Sequence, residues 1–201
     1  MKNTKIISID GLHRSGKGTQ IRMLEEFLND VHINAISLRG DGSINGAGKE
    51  IVTGNWDYAT DVLNTEIYDA YNTNNAAMIL LDRSLISRYF VLRQKGKTDY
   101  HDVLTFNHTQ HGIRNTIIPD ISFILHASKE VLLERNELTS DSKKYSFRKR
   151  NIIEYYDLFC STVRSLEEAF NIKYLNAENT EEEVFNEMMQ YLFKGGISCL
   201  K

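Results

Sequence analysis

Short apolar runs alternate along the chain with longer stretches in which apolar residues return every three or four positions. Lys5–Asp10 (KIISID) predicts a buried first strand. Residues 18 to about 31 predict a helix with Ile21, Leu24, Phe27 and Leu28 on one stripe. Strands follow at 34–39, 77–81, 121–126 and 172–176. Between them the pattern predicts helices over 49–73, 84–94, 99–115, 129–136, 146–170 and 181–193. Residues 40–48 are Gly-rich and polar, and 138–145 are polar, so both read as loop. Strands that alternate with helical crossovers imply one α/β domain, a three-layer α/β/α sandwich around a five-stranded parallel sheet.

Composition narrows the class. The 201 residues are 41% hydrophobic and 25% charged, as in folded soluble domains, with one proline and no repeat. A formal charge of −3 gives no overall field toward nucleic acid or an anionic membrane, so neither is an expected partner. Any bound phosphate must be held locally. Cys160 and Cys199 are too few for a disulfide framework or a four-cysteine zinc site. The apolar run after Met1 is too short for a secretion signal, so the expected location is cytoplasmic.

The sharpest chemical signal is Gly11-Leu12-His13-Arg14-Ser15-Gly16-Lys17-Gly18-Thr19. It matches G-x-x-x-x-G-K, directly after an expected strand and at the mouth of an expected helix. Glycines let successive N–H groups turn inward on phosphates, and the helix N-terminus adds positive potential. Lys17 supplies a mobile point charge, and Arg14 a guanidinium inside the loop, suited to charge that develops during phosphoryl transfer. Gly18 stands where the metal-binding hydroxyl usually sits, so Thr19 is the nearest hydroxyl for Mg²⁺. Gly11, Arg14, Ser15, Gly16, Lys17, Gly18, Thr19 and Gln20 are therefore the expected ATP-binding residues. His101, His108 and His111 have ligand-like spacing but no accompanying carboxylates or cysteines, and read as a polar helix face.

The stretch from Ile9 to Gln20 resembles the P-loop of thymidylate kinases, in the version with an arginine inside the loop. Its Gly-Lys-Gly-Thr-Gln ending also resembles adenylate kinases. Three further blocks follow in family order: Leu38-Arg39, then Leu81-Asp82-Arg83-Ser84-Leu85-Ile86-Ser87, then Pro119-Asp120 with Val131-Leu132-Leu133-Glu134-Arg135. The resemblance covers nearly the whole chain and implies ATP-dependent phosphorylation of thymidylate. It implies that Asp82 lies by Mg²⁺, that Arg83 and Arg39 clamp the acceptor phosphate, and that Tyr58 stacks on its base. His13 and Ser87 would line the acceptor site, and Arg135 would flank adenine with Asn176-Ala177-Glu178. Residues 138–150, with Lys143, Lys144, Arg148, Lys149 and Arg150, would form a small lid. It also suggests a homodimer.

Two positions depart from the family pattern. His13 stands where an acid usually contacts the sugar hydroxyl, and Val62, after Asp61, where an arginine usually meets the phosphate. Deoxynucleoside kinases carry an acid-Arg-Ser block similar to Asp82-Arg83-Ser84, so phosphorylation of a free nucleoside is the alternative. A nucleotide-binding protein with a weakened acceptor site is a further one. If the acceptor is a hydroxyl, Asp10 and Asp82 are the candidate bases.

Overall fold

The computed structural model describes residues 4–39, 65–67, 69–70, 76–94, 96, 117–138 and 142–194, with backbone alone at 39, 142–145, 147 and 194. In chain order the elements are β1 (Lys5–Asp10), α1 (Lys17–Asp30), β2 (Ala35–Arg39), β3 (Met78–Asp82) and α2 (Leu85–Gln94). Then come β4 (Ile121–His126), α3 (Lys129–Glu137), α4 (Ser142–Arg164), β5 (Ile172–Asn176) and α5 (Glu181–Lys194). The five strands form one parallel sheet in the order β2-β3-β1-β4-β5. This is the α/β fold that the pattern implies. β1 is central, and the order reverses beside it, which in open α/β sheets places a ligand crevice at the carboxyl ends of the strands.

Both faces of the sheet are covered. Met78 and Leu80 of β3 belong to one buried cluster, while Ile79 and Leu81 point the other way into a second with Ile67 and Ala70. Ile67 and Ala70 belong to the helical residues 65–67 and 69–70, the described part of the helix expected over 49–73. The remainder of that helix, the helix expected over 99–115, Tyr58, Asp61, Val62 and His101, His108 and His111 lie outside the described residues. Along α1, Ile21, Leu24 and Leu28 are buried as the stripe requires, each worth about 1.5–3 kcal/mol. Phe27 lies at the margin of that stripe, edge-on to Phe185 and Phe193 of α5, with centroids 6.3 and 5.8 Å away.

Polar groups inside the sheet answer one another. Ser8 and Ser122 are register partners on β1 and β4, both buried, and share a 2.9 Å hydrogen bond. At the amino ends of the strands, Asp120 accepts from the Ile6 N–H at 2.8 Å while its own N–H donates to the Ile6 carbonyl. Asp120 thus joins β4 to β1 at the edge opposite the phosphate loop.

Among the described residues, the largest shift from the expected boundaries is in the longest helix. α4 runs from Ser142 to Arg164, not 146 to 170. It starts earlier because a polar segment rich in good helix formers needs no apolar face to propagate a helix. At its far end the Leu166, Glu167 and Ala169 amides bond three residues back, to Val163, Arg164 and Leu166. These are tight turns of 3₁₀ type. Leu166 and Phe170 remain buried there, so the apolar spacing continues past the last α-helical turn.

Candidate nucleotide and phosphate site

The loop from Gly11 to Gly16 leaves the central strand and turns directly into α1. Its shape needs residues in unusual conformations. Gly16 caps α1 at φ 92°, and Gly11 sits at φ 155° where an added Cβ would meet Ser15 Oγ at 2.5 Å and the Leu125 carbonyl at 2.8 Å. Arg14 takes φ 69° despite its side chain, and Arg83, after β3, takes φ 76°. Each left-handed arginine costs about 1–2 kcal/mol, a strain that collects at functional sites.

Lys17, the first residue of α1, is buried and donates through Nζ to the Leu12 carbonyl at 2.7 Å and to Ser15 Oγ at 3.3 Å. Burial, followed by the Arg83 charge, lowers its pKa from 10.5 to about 7, against the opposing pull of Asp82 and Asp10. His13 is lowered to about 3, first by burial and then by Arg83, Lys17, Arg148 and Arg14. It is therefore neutral at physiological pH. Burial, then Arg148, also lowers Arg14. Four cations from three parts of the chain (the loop, the end of β3 and the start of α4) thus converge on one uncharged imidazole.

The carboxyl ends of β1 and β3 supply two acids in different settings. Ile9 and Asp82 are register partners, so Asp10 and Asp82 end neighbouring strands one residue out of register. Asp82 is half-buried, and its charge reaches Lys17. Asp10 is fully buried and accepts three hydrogen bonds: from the Ser84 N–H at 3.0 Å, the Ser84 hydroxyl at 2.7 Å and the Ser87 hydroxyl at 2.6 Å. Ser87, expected to line the acceptor site, thus has its proton committed to Asp10. Arg39 ends β2 opposite Asp82 in register, which brings its backbone to the same rim.

Mg²⁺ prefers hard oxygen donors and keeps several waters. Thr19, half-exposed in the first turn of α1, and the half-buried Asp82 are oxygen donors of the right kind. Among the described residues no group of three or more His, Cys, Asp or Glu side chains could hold a metal by itself. The donor chemistry therefore fits an ion held by two residues together with nucleotide phosphates and water. Gly18 is exposed with nothing within 4 Å of a Cβ added to it.

The residues expected to flank adenine lie close to one another. Arg135 of α3 donates through Nη2 to the Ala177 carbonyl at 2.7 Å, and Glu178 accepts from the Ser128 N–H at 2.7 Å. A cavity of about 520 Å³ opens between α4 and the edge strand β5, reaching His126 and Asn176. Gln20 lies deeper, its amide donating to the Glu181 carbonyl at 2.9 Å, so it joins α1 to the start of α5. In the basic segment, Arg148 reaches the phosphate loop electrostatically, whereas Lys149 pairs with Glu137 of α3 at 3.6 Å. Sequence reasoning overlooked Ser84 and the buried Arg88 of α2.

No family model matches the sequence, and no curated protein matches it. Among solved structures the chain is similar to deoxyadenosine kinase from M. mycoides, solved with the products dCMP and a flexible dCDP bound. The TM-score is 0.64 at 14% identity, over 94% of this chain and 99% of that one. The likeness establishes the fold. Among the described residues no helix is long and apolar enough to cross a membrane.

Proposed function

We propose that this chain transfers the γ-phosphate of ATP to a nucleoside monophosphate, with thymidylate the first acceptor to test. The observation that carries this reading is the loop geometry: Lys17, buried at the mouth of α1, donates to the Leu12 carbonyl at 2.7 Å, and the charges of Arg14, Arg83 and Arg148 reach the same loop. Two substrates that both carry phosphates need surplus positive charge between them, and a phosphate acceptor needs no general base. In this reading Gly11, Ser15, Gly16, Gly18, Thr19 and Gln20 build the donor half around the triphosphate, and Arg135 flanks its adenine. Arg83 and Arg39 hold the acceptor phosphate, while His13, Tyr58 and Ser87 form the acceptor pocket. Lys17, Arg14 and Arg83 offset the charge on the migrating group. Thr19 and Asp82 would hold Mg²⁺, which would supply positive charge against that of the triphosphate. Residues 138–150 act as a lid that excludes water, so that ATP is not hydrolysed. We place the enzyme in the cytoplasm, as a homodimer.

A second reading, a deoxynucleoside kinase, is supported by the name of the structural neighbour and by the Asp82-Arg83-Ser84 block. The two are separated by an ADP-release assay with MgATP and a panel of nucleoside monophosphates and free nucleosides. Turnover with thymidylate or another monophosphate supports the first reading. Turnover with nucleosides alone replaces it with the second. Turnover with neither sinks both and leaves a nucleotide-binding protein.

A further inference from the structure

We infer that Asp10 is a positioning residue that aims Arg83, and is not a base for the acceptor. The inference deepens the proposed phosphotransfer and rests on that reading for its kinetic consequence. Asp10 ends the central strand and precedes Gly11, so its backbone leads directly into the phosphate loop. Its side chain faces a different part of the chain. Both carboxylate oxygens are occupied by groups on the turn after β3: Oδ1 by the Ser84 N–H and the Ser87 hydroxyl, Oδ2 by the Ser84 hydroxyl. The group is fully buried, so a substrate hydroxyl would have to displace Ser84 or Ser87 to reach it.

The turn that Asp10 grips is the one holding Arg83. Arg83 is in the left-handed region at φ 76°, where a side chain of its kind rarely rests. Its own N–H donates to the Ile9 carbonyl at 3.1 Å, and the next N–H, that of Ser84, donates to Asp10. Ser84 Oγ in turn accepts from the Ile86 N–H at 3.2 Å, which ties the first turn of α2 into the same set. Two successive residues of β1 thus hold two successive amides around the strained arginine. The backbone that carries the guanidinium is thereby fixed next to β1, and the Arg83 charge reaches Lys17. One carboxylate joins the start of the donor loop to the arm that meets the acceptor. It leaves Asp82, half-buried and next in register, as the acid open to metal or substrate.

The test combines Asp10→Asn, Ser84→Ala, Arg83→Ala and the double variant Asp10→Asn/Arg83→Ala. Asparagine keeps the volume and one acceptor oxygen, so folding is retained. If Asp10 acts through Arg83, Asp10→Asn lowers the transfer rate about tenfold or more, with MgATP affinity changed less than about threefold. Ser84→Ala, which leaves Asp10 intact, lowers the rate in the same way. The double variant is no slower than Arg83→Ala alone, because the two residues act as a unit. Multiplied losses in the double variant, or normal turnover by Ser84→Ala, overturn the inference. If the wild type transfers phosphate to no acceptor, the functional reading fails by itself. The latch is then decided by hydrogen exchange: the Ser84 amide of Asp10→Asn exchanges about tenfold faster than wild type, or the inference is wrong.

Discussion

The Lys17 ammonium donates to the Leu12 carbonyl at 2.7 Å, which folds the lysine of the phosphate loop back across that same loop. Its charge is held in a buried place, within reach of the Arg83 charge.

Activity and stability should therefore move in opposite directions at this position. If Lys17 meets the γ-phosphate as proposed, Lys17→Met removes that cation, and transfer should fall by at least about a thousandfold. The same change should raise the melting temperature measured without nucleotide. The folded pKa of about 7 lies below the ordinary 10.5, so charging Lys17 weighs against the fold. That penalty is fully present below pH 7 and fades as pH rises to 10.5, so the gain from methionine should vanish over the same interval. At about 1.4 kcal/mol per pKa unit its ceiling is about 5 kcal/mol. Thermal melts of both proteins from pH 6 to 10 check it. A destabilised variant at pH 7 would contradict the prediction.

His13 gives a second pH signature. The unfolded chain takes up a proton near pH 6.5, but the folded site resists it until about pH 3, because of burial and the charges of Arg83, Lys17, Arg148 and Arg14. The stability that comes from neutral His13 is present above pH 6.5 and is lost as pH falls toward 3. His13→Gln cannot titrate and should lose less stability than wild type across that window. Urea midpoints at pH 7, 5 and 4 report the difference, and parallel curves would contradict the assignment.

Two glycines of the loop should respond oppositely to a side chain. At Gly11 a Cβ meets Ser15 Oγ at 2.5 Å and backbone oxygen at 2.8 Å, with φ already at 155°. Gly11→Ala should destabilise by about 1–3 kcal/mol and weaken MgATP binding. At Gly18 nothing lies within 4 Å. Gly18→Ser should stay within about 0.5 kcal/mol of wild type, and its added hydroxyl should lower the Mg²⁺ concentration needed for half-maximal activity. Calorimetry and a Mg²⁺ titration distinguish the two.

Arg135 offers a test confined to the donor half. Its 2.7 Å bond to the Ala177 carbonyl fixes α3 against the loop after β5. Arg135→Ala should raise the KM for ATP about tenfold while leaving the acceptor KM within about twofold. A matched rise in both would mean that Arg135 does not belong to the adenine flank.

The phosphate loop was legible in the sequence because its chemistry is local: strand, glycines, lysine and helix follow one another without a break. β1 and β4 were legible to the residue, since buried parallel strands appear as mostly apolar runs between polar turns, and the edge strand β5 was placed to the residue by its short β-rich run. α4 was misplaced at both ends, because periodicity reports burial rather than hydrogen bonding. Leu166 and Phe170 keep the spacing after the backbone has tightened into 3₁₀ turns, and Ser142 begins a helix that has no apolar signal.

The partnerships of the acids were not legible at all. Ser84 and Ser87 reach Asp10 across separations of 74 and 77 residues, and nothing near Asp10 announces them. Sequence spacing made Asp10 and Asp82 equal candidates for a base. The sheet sets them at the ends of neighbouring strands, one residue out of register, and the turn after β3 then closes on one of them. The left-handed turn at Arg83 is equally a tertiary fact, because no local preference places an arginine there. The sequence by itself determined that this chain has a parallel α/β sheet and a phosphate loop, since both follow from short-range pattern. Only the tertiary structure decided which charges share the loop and which acid stays open, because long-range hydrogen bonds and burial are set by packing.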